Sequence, residues 1–138
     1  MHSHLFNFDA KKSEIGSLVA IQSPESIPFD IQRVYYIYGV DSKKYRRGFH
    51  AHRDLEQVLI CVKGSLKVLV KTPKEEIIYS LSSPDKGLFI GKMIWREMFE
   101  FSKDAVLLVL ASKKYDEGDY YREYSDFENA FFSKGNNL

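Results

Sequence analysis

The chain has 138 residues, with 20 Lys and Arg against 19 Asp and Glu, for a formal net charge of +1. That length suits one domain, residues 1–138, and 44% hydrophobic residues are enough for an ordinary core. Near-neutral charge argues against a protein that coats nucleic acid, and a single cysteine, Cys61, excludes an intrachain disulfide framework and suits a reducing cytoplasm. The longest apolar run, Ala105 to Ala111, is seven residues, well short of the roughly 20 that a membrane helix needs. The N-terminus has no basic region followed by an apolar stretch, so no secretory signal is expected. His2 and His4 fall in that terminus and are expected to fray with it.

In chain order, the sequence reads as short strands broken by turn residues. Ser17 to Ile21 is a first apolar run, followed by a polar stretch with Pro24 and Pro28. Arg33 to Tyr38 is β-branched and aromatic, which favours a strand. It ends at Gly39 and the charged loop Asp41 to Arg46. Phe49 to His52 is a short extended piece. Gln57 to Val62 is a nearly continuous apolar strand closed by a Lys63-Gly64 turn, and Ser65 to Val70 alternates apolar and polar residues as a half-buried strand does. A turn at Pro73 leads to Glu76–Leu81, and Pro84 to Gly87 is another turn. Leu88–Ile90, a short strand near Ile94, and Ala105–Leu110 follow. Asp119 to Phe132 is dense in Tyr, Phe and acids and suits a terminal helical or docking segment, and the last residues, Gly135 to Leu138, are expected to fray. Strands at about ten-residue spacing with turns between them predict an all-β sandwich or barrel.

The segment that carries chemistry is Arg47-Gly-Phe-His50-Ala-His52-Arg-Asp-Leu-Glu56, with Gly64 eight residues later. Alternation along a strand puts His50 and His52 on one face, with Cα atoms about 6.5–7 Å apart. Such a pair can share a metal or act as acid and base on neighbouring atoms of one substrate. The pattern of Gly48, the two histidines, Glu56 and Gly64 resembles the first motif of the cupins, which implies a jelly-roll β-barrel. Metal-binding cupins add a third histidine from a second motif. Here Arg96 stands in its place, and a permanently cationic guanidinium is no metal ligand. The site is therefore expected to be metal-free, although a three-ligand set of His50, His52 and Glu56 stays open.

Longer stretches narrow the resemblance. Ser17-Leu-Val-Ala, Arg33-Val-Tyr-Tyr-Ile, Arg47-Gly-Phe-His-Ala-His, Leu55-Glu-Gln-Val-Leu, Lys63-Gly-Ser and Tyr115-Asp-Glu-Gly-Asp-Tyr-Tyr-Arg122-Glu-Tyr together resemble the sugar-nucleotide 3,4-ketoisomerases, cupins that act on dTDP-4-keto-6-deoxy-D-glucose. The 3,5-epimerases share the barrel but have one histidine where this chain has two. The resemblance implies a reaction with no metal and no cofactor, a dTDP-linked keto sugar as partner, and a homodimer with exchanged N-terminal strands.

It also implies roles. His50 would take the C3 proton and His52 would relay a proton to or from the sugar oxygens. Tyr38, by family position, would help carry it. Tyr36 is either a second such tyrosine or core packing. Arg suits the diphosphate through its planar fork of donors; Arg47 leads, followed by Arg33, Arg46 and Arg122, with the Lys43 to Arg47 cluster supplying local positive charge. Trp95 is either core or a wall of the sugar site. Arg96, with Ile15-Gly16-Ser17-Leu18, resembles the gluco-forming rather than the galacto-forming branch, which predicts dTDP-3-keto-6-deoxy-D-glucose as product.

Overall fold

The computed structural model describes residues 1–133; the predicted fraying of residues 135–138 lies outside them. Two five-stranded antiparallel sheets stack face to face in a jelly roll. The first contains β1 (Ser3–Asn7), β4 (Arg33–Tyr38), β6 (Gln57–Lys63), β9 (Lys86–Ile90) and β11 (Val106–Ala111), in the order β1-β9-β6-β11-β4. The second contains β5 (Arg47–His52), β7 (Leu66–Thr72), β8 (Glu75–Leu81), β10 (Trp95–Phe99) and β12 (Tyr120–Tyr121), in the order β12-β5-β10-β7-β8. The pair β2 (Ala10–Ser13) and β3 (Gly16–Val19) forms a separate hairpin. Among the described residues, no helix is long and apolar enough to cross a membrane.

Alternation explains the layers. Leu59, Leu88, Leu107 and Val109 from the first sheet meet Val68, Val70 and Met98 from the second in one buried cluster. Strand β6 reads as almost continuously apolar because both of its faces are covered. Leu59 and Cys61 turn inward, whereas Val58 and Ile60 pack outward against Phe8, Ile27 and Phe29. The second sheet is covered by α1 (Tyr124–Ser133), whose Phe127 and Phe131 lie on Ala51, Met93 and Trp95. The aromatic C-terminal segment is thus a docked helix, preceded by a 3-10 turn at Glu117–Asp119.

The N-terminus departs from expectation. Instead of fraying, β1 pairs in register with β9, from Ser3 opposite Ile90 to Asn7 opposite Lys86. Backbone pairing with a strand far along the chain supplies partners that local sequence does not reveal. His4 packs against Phe6 and Phe89 there, as an ordinary aromatic contact.

Candidate active site

The site forms at one end of the barrel, where β4, β5 and β10 converge with the segment around β12. Strand β5 is irregular. Arg96 pairs with His50 and Glu97 with Gly48, which leaves Phe49 as an extra residue on β5. This bulge holds Gly48 at φ +96° and Phe49 at φ +55°. Glycine is required at position 48, because a Cβ there would lie 2.9 Å from the Arg96 carbonyl oxygen. The bulge turns the Gly48 carbonyl back onto its own strand, 3.1 Å from His50 Nδ1. A carbonyl only accepts, so Nδ1 donates and Nε2 carries the lone pair.

His50 and His52 do share a face, with ring centroids 4.9 Å apart and planes near perpendicular. Ala51, between them, points to the other side and packs under α1. The two histidines differ in depth. His50 lines a cavity of about 350 Å³, whereas His52 is fully buried behind it. Tyr120 packs against both imidazole rings. Burial, reinforced by the Arg96 cation, pushes His50 down to about 3. The same two causes lower His52 further. Both rings are therefore neutral at pH 7 and able to accept a proton.

The rest of the cavity wall is cationic and aromatic: Arg33, Tyr35, Arg47, Tyr120 and Arg122 line it, with Met98 and Ile37 as apolar patches. Arg33 stacks on Tyr35 and Tyr115, and two of its nitrogens are buried without a hydrogen-bond partner. Arg122 stacks on Tyr120 and pairs with Glu117 at 2.6 and 2.8 Å, holding that carboxyl down at about 2. Arg96 is buried behind the cavity. It donates to Gln57 Oε1 and to the Ile94 carbonyl, and its Nε has no partner. Burial lowers its pKa to about 10, so it stays cationic at neutral pH. Gln57 in turn donates to the Tyr35 hydroxyl at 3.1 Å, which ties Arg96, Gln57 and Tyr35 into one chain.

Of the predicted site residues, the structure gathers His50, Arg47, Arg33 and Arg122 at the cavity, with His52 and Arg96 directly behind. Four others fall elsewhere. Tyr36 and Tyr38 are 63% and 70% exposed, stacked on each other on the outer face of β4. They share a face, but it is the face opposite Arg33; alternation instead turns Tyr35 inward. Trp95 is core: it packs against Tyr124 and Phe127 under α1, and its indole donates to Glu97. Arg46 lies outside the cavity, paired with Glu97 at 2.8 Å and stacked on Phe99. Ile15 to Leu18 sit at the β2–β3 hairpin, and Glu56 does not join the histidines. Among the described residues, no three His, Cys, Asp or Glu side chains are grouped to hold a metal ion. Sequence reasoning missed Tyr35, Gln57, Asp119 and Tyr120. The alternation Arg33-x-Tyr35 was the available signal for the first. Nothing local marks the other three, because distant strands bring them in.

Comparison with known proteins identifies the family. Residues 1–131 match the family FdtA, described as WxcM-like, C-terminal. A TDP-4-oxo-6-deoxy-alpha-D-glucose-3,4-oxoisomerase from Aneurinibacillus thermoaerophilus is 45% identical over 128 residues, covering 93% of this chain and 91% of that protein. A mutant of the 3,4-ketoisomerase QdtA from Thermoanaerobacterium thermosaccharolyticum, solved in complex with TDP-4-keto-6-deoxyglucose, superposes with a TM-score of 0.92 at 45% identity, covering 96% of each chain. The WlaRB TDP-quinovose 3,4-ketoisomerase from Campylobacter jejuni gives a TM-score of 0.89 at 44% identity, covering 93% of this chain and 98% of the other. The chain belongs to the FdtA, WxcM-like family and, within it, to the cupin-type sugar-nucleotide 3,4-ketoisomerases.

Proposed function

We propose that this isomerase converts dTDP-4-keto-6-deoxy-D-glucose to dTDP-3-keto-6-deoxy-D-glucose by proton transfer through an enediolate, with neither metal nor redox cofactor. The observation that carries the reading is His50: its Nδ1 is committed to the Gly48 carbonyl, and the ring, with Nε2 unprotonated, lines a cavity walled by arginines. The C3 proton lies α to the C4 carbonyl and is therefore acidic enough for an imidazole to remove. His50 takes it, and the electron pair moves onto O4. The proton on O3 passes to O4 as C4 is reprotonated, which leaves a ketone at C3 and a hydroxyl at C4. His52, one residue along the same face, relays a proton. Tyr35 takes the part first assigned to Tyr38, since its hydroxyl already accepts from Gln57 and has its own proton to donate. The buried Arg96 cation favours the enediolate electrostatically. Arg33, Arg47 and Arg122 suit the diphosphate.

Arg96 in place of a histidine favours the gluco product. A homodimer is the assembly we favour, because among the described residues the β2–β3 hairpin pairs with no other strand and Ile15 at its tip is fully exposed. Strand β1 pairs within its own chain, so the hairpin is the N-terminal element available for exchange. The cytoplasm is the compartment that suits this chemistry and the unpaired Cys61.

The test is incubation with dTDP-4-keto-6-deoxyglucose in deuterated water, followed by proton NMR. Deuterium at C4 of a 3-keto product with an equatorial C4 hydroxyl is the expected result. An axial hydroxyl would assign the galacto product instead, and the absence of any 3-keto product would sink the reading. His50→Asn is expected to abolish turnover while TDP affinity stays within about threefold.

A further inference from the structure

Asp119 closes the 3-10 turn that leads into β12, and it is buried beside His52. Its carboxylate accepts two backbone N–H groups and faces the His52 ring. Oδ1 accepts the Asp54 backbone N–H at 2.9 Å, and Oδ2 accepts that of Leu55 at 3.2 Å. His52 Nδ1 lies 3.3 Å from the same Oδ2. The Asp119 carbonyl also accepts the Arg53 N–H at 2.9 Å, so the turn is tied to the three residues that follow His52. The carboxylate is thereby held in one orientation against the imidazole.

We infer that Asp119 is a positioning residue that fixes His52 in the Nδ1–H tautomer and keeps its Nε2 open to receive a proton. A carboxylate only accepts, so the nitrogen facing it must carry the hydrogen. His52 is neutral and has one such hydrogen to give. Its Nε2 is then a buried lone pair with no hydrogen-bond partner among the described residues. The other charged or titratable groups around the ring are His50, Tyr120, Arg96, Arg33 and Arg122. None of them is an anion, so among the described residues Asp119 is the group around the ring that favours a hydrogen on the nitrogen facing it. At 3.3 Å the Nδ1–Oδ2 approach is within ion-pair distance but misses hydrogen-bond alignment, so Nδ1 too has no hydrogen-bond partner among the described residues; catalytic hydrogen bonds are often loose until substrate arrives. Because His52 serves as a relay only if the isomerase reading holds, the test includes a measurement that needs no substrate.

That measurement is nitrogen-15 NMR of histidine-labelled protein, with His52 assigned from the signal lost in His52→Asn. The wild-type protein is expected to show His52 as the Nδ1–H tautomer. The Nε2–H tautomer would overturn the inference, whatever the protein's activity. In Asp119→Asn, an amide has one acceptor for the two backbone N–H groups and the facing imidazole. The backbone N–H groups cannot reverse, but the imidazole can, so the tautomer is expected to change. The expected kinetic effect is a fall in kcat of roughly 100-fold with KM within about twofold. A purely structural Asp119 would lower the melting temperature while leaving the tautomer and the kcat of the folded protein unchanged, and that outcome also overturns the inference. Wild-type protein with the expected tautomer but no isomerisation would fault the proposed reaction and leave the role of Asp119 standing.

Discussion

His50 owes its tautomer and its charge state to its neighbours. The Gly48 carbonyl selects its tautomer, and burial together with the Arg96 cation keeps it neutral far below the ordinary imidazole range. The proposed base, lowered to about 3, is active in its neutral form, so activity is expected to fall only as pH drops toward that value. The acid limb of kcat/KM is therefore expected well below pH 6.5. Removing a neighbouring cation makes the imidazolium less costly, which raises the pKa. Arg96→Met is thus expected to move the acid limb upward toward 6.5, measured as a pH–rate profile. A limb that stays in place would mean that burial acts alone. Arg96 also shows why residue type was informative before any coordinates existed: a guanidinium at that position excludes itself as a metal ligand by its chemistry, wherever the fold puts it.

At the scale of elements, strand alternation accounts for most of the site and one irregularity accounts for the rest. Arg33, Tyr35 and Ile37 line the cavity because they share the inward face of β4, and the same rule sends Tyr36 and Tyr38 outward. The family resemblance implies Tyr38, with Tyr36 as a second tyrosine or core packing, but both lie on the exposed face; a period of two does not say which face is buried. The bulge in β5 follows no periodicity at all. It depends on Gly48 adopting a positive φ against the backbone of β10. Gly48→Ala is expected to cost about 2 kcal/mol or more in stability through that strain and contact, measured by urea unfolding. Turnover should fall as well, because the Gly48 carbonyl would no longer orient His50. A stable variant with unchanged kcat would show that the bulge does not set the base.

For the whole molecule, the two sheets, the segment over the first and the helix over the second cover the core but leave two exposed apolar rows that bear on assembly. One is the outer row Val34, Tyr36 and Tyr38 on β4, an edge strand; the other is the hairpin with Ile15 and Leu18. Exposed apolar and aromatic rows of this kind are a liability in a monomer and useful in a symmetric pair. Light scattering is expected to give twice the chain mass. Deleting residues 11–18 should shift the protein toward the monomer, and a chain that is monomeric from the start would refute the assembly.

The sequence by itself determined the strand-rich class, the histidine pair on one face, the cation in place of a third ligand, and the family. These follow from residue type and short-range spacing, which survive without coordinates. Only the tertiary structure decided the depth of His52 behind His50, the inward turn of Tyr35, the burial of Trp95 under α1 and the arrival of Asp119 and Gln57. Each of those depends on a pairing between segments far apart in the chain, such as Tyr120 opposite His52 and Arg96 opposite His50. Local propensity carries no information about which distant strand supplies the partner, and the environment that tunes an imidazole is made of such partners.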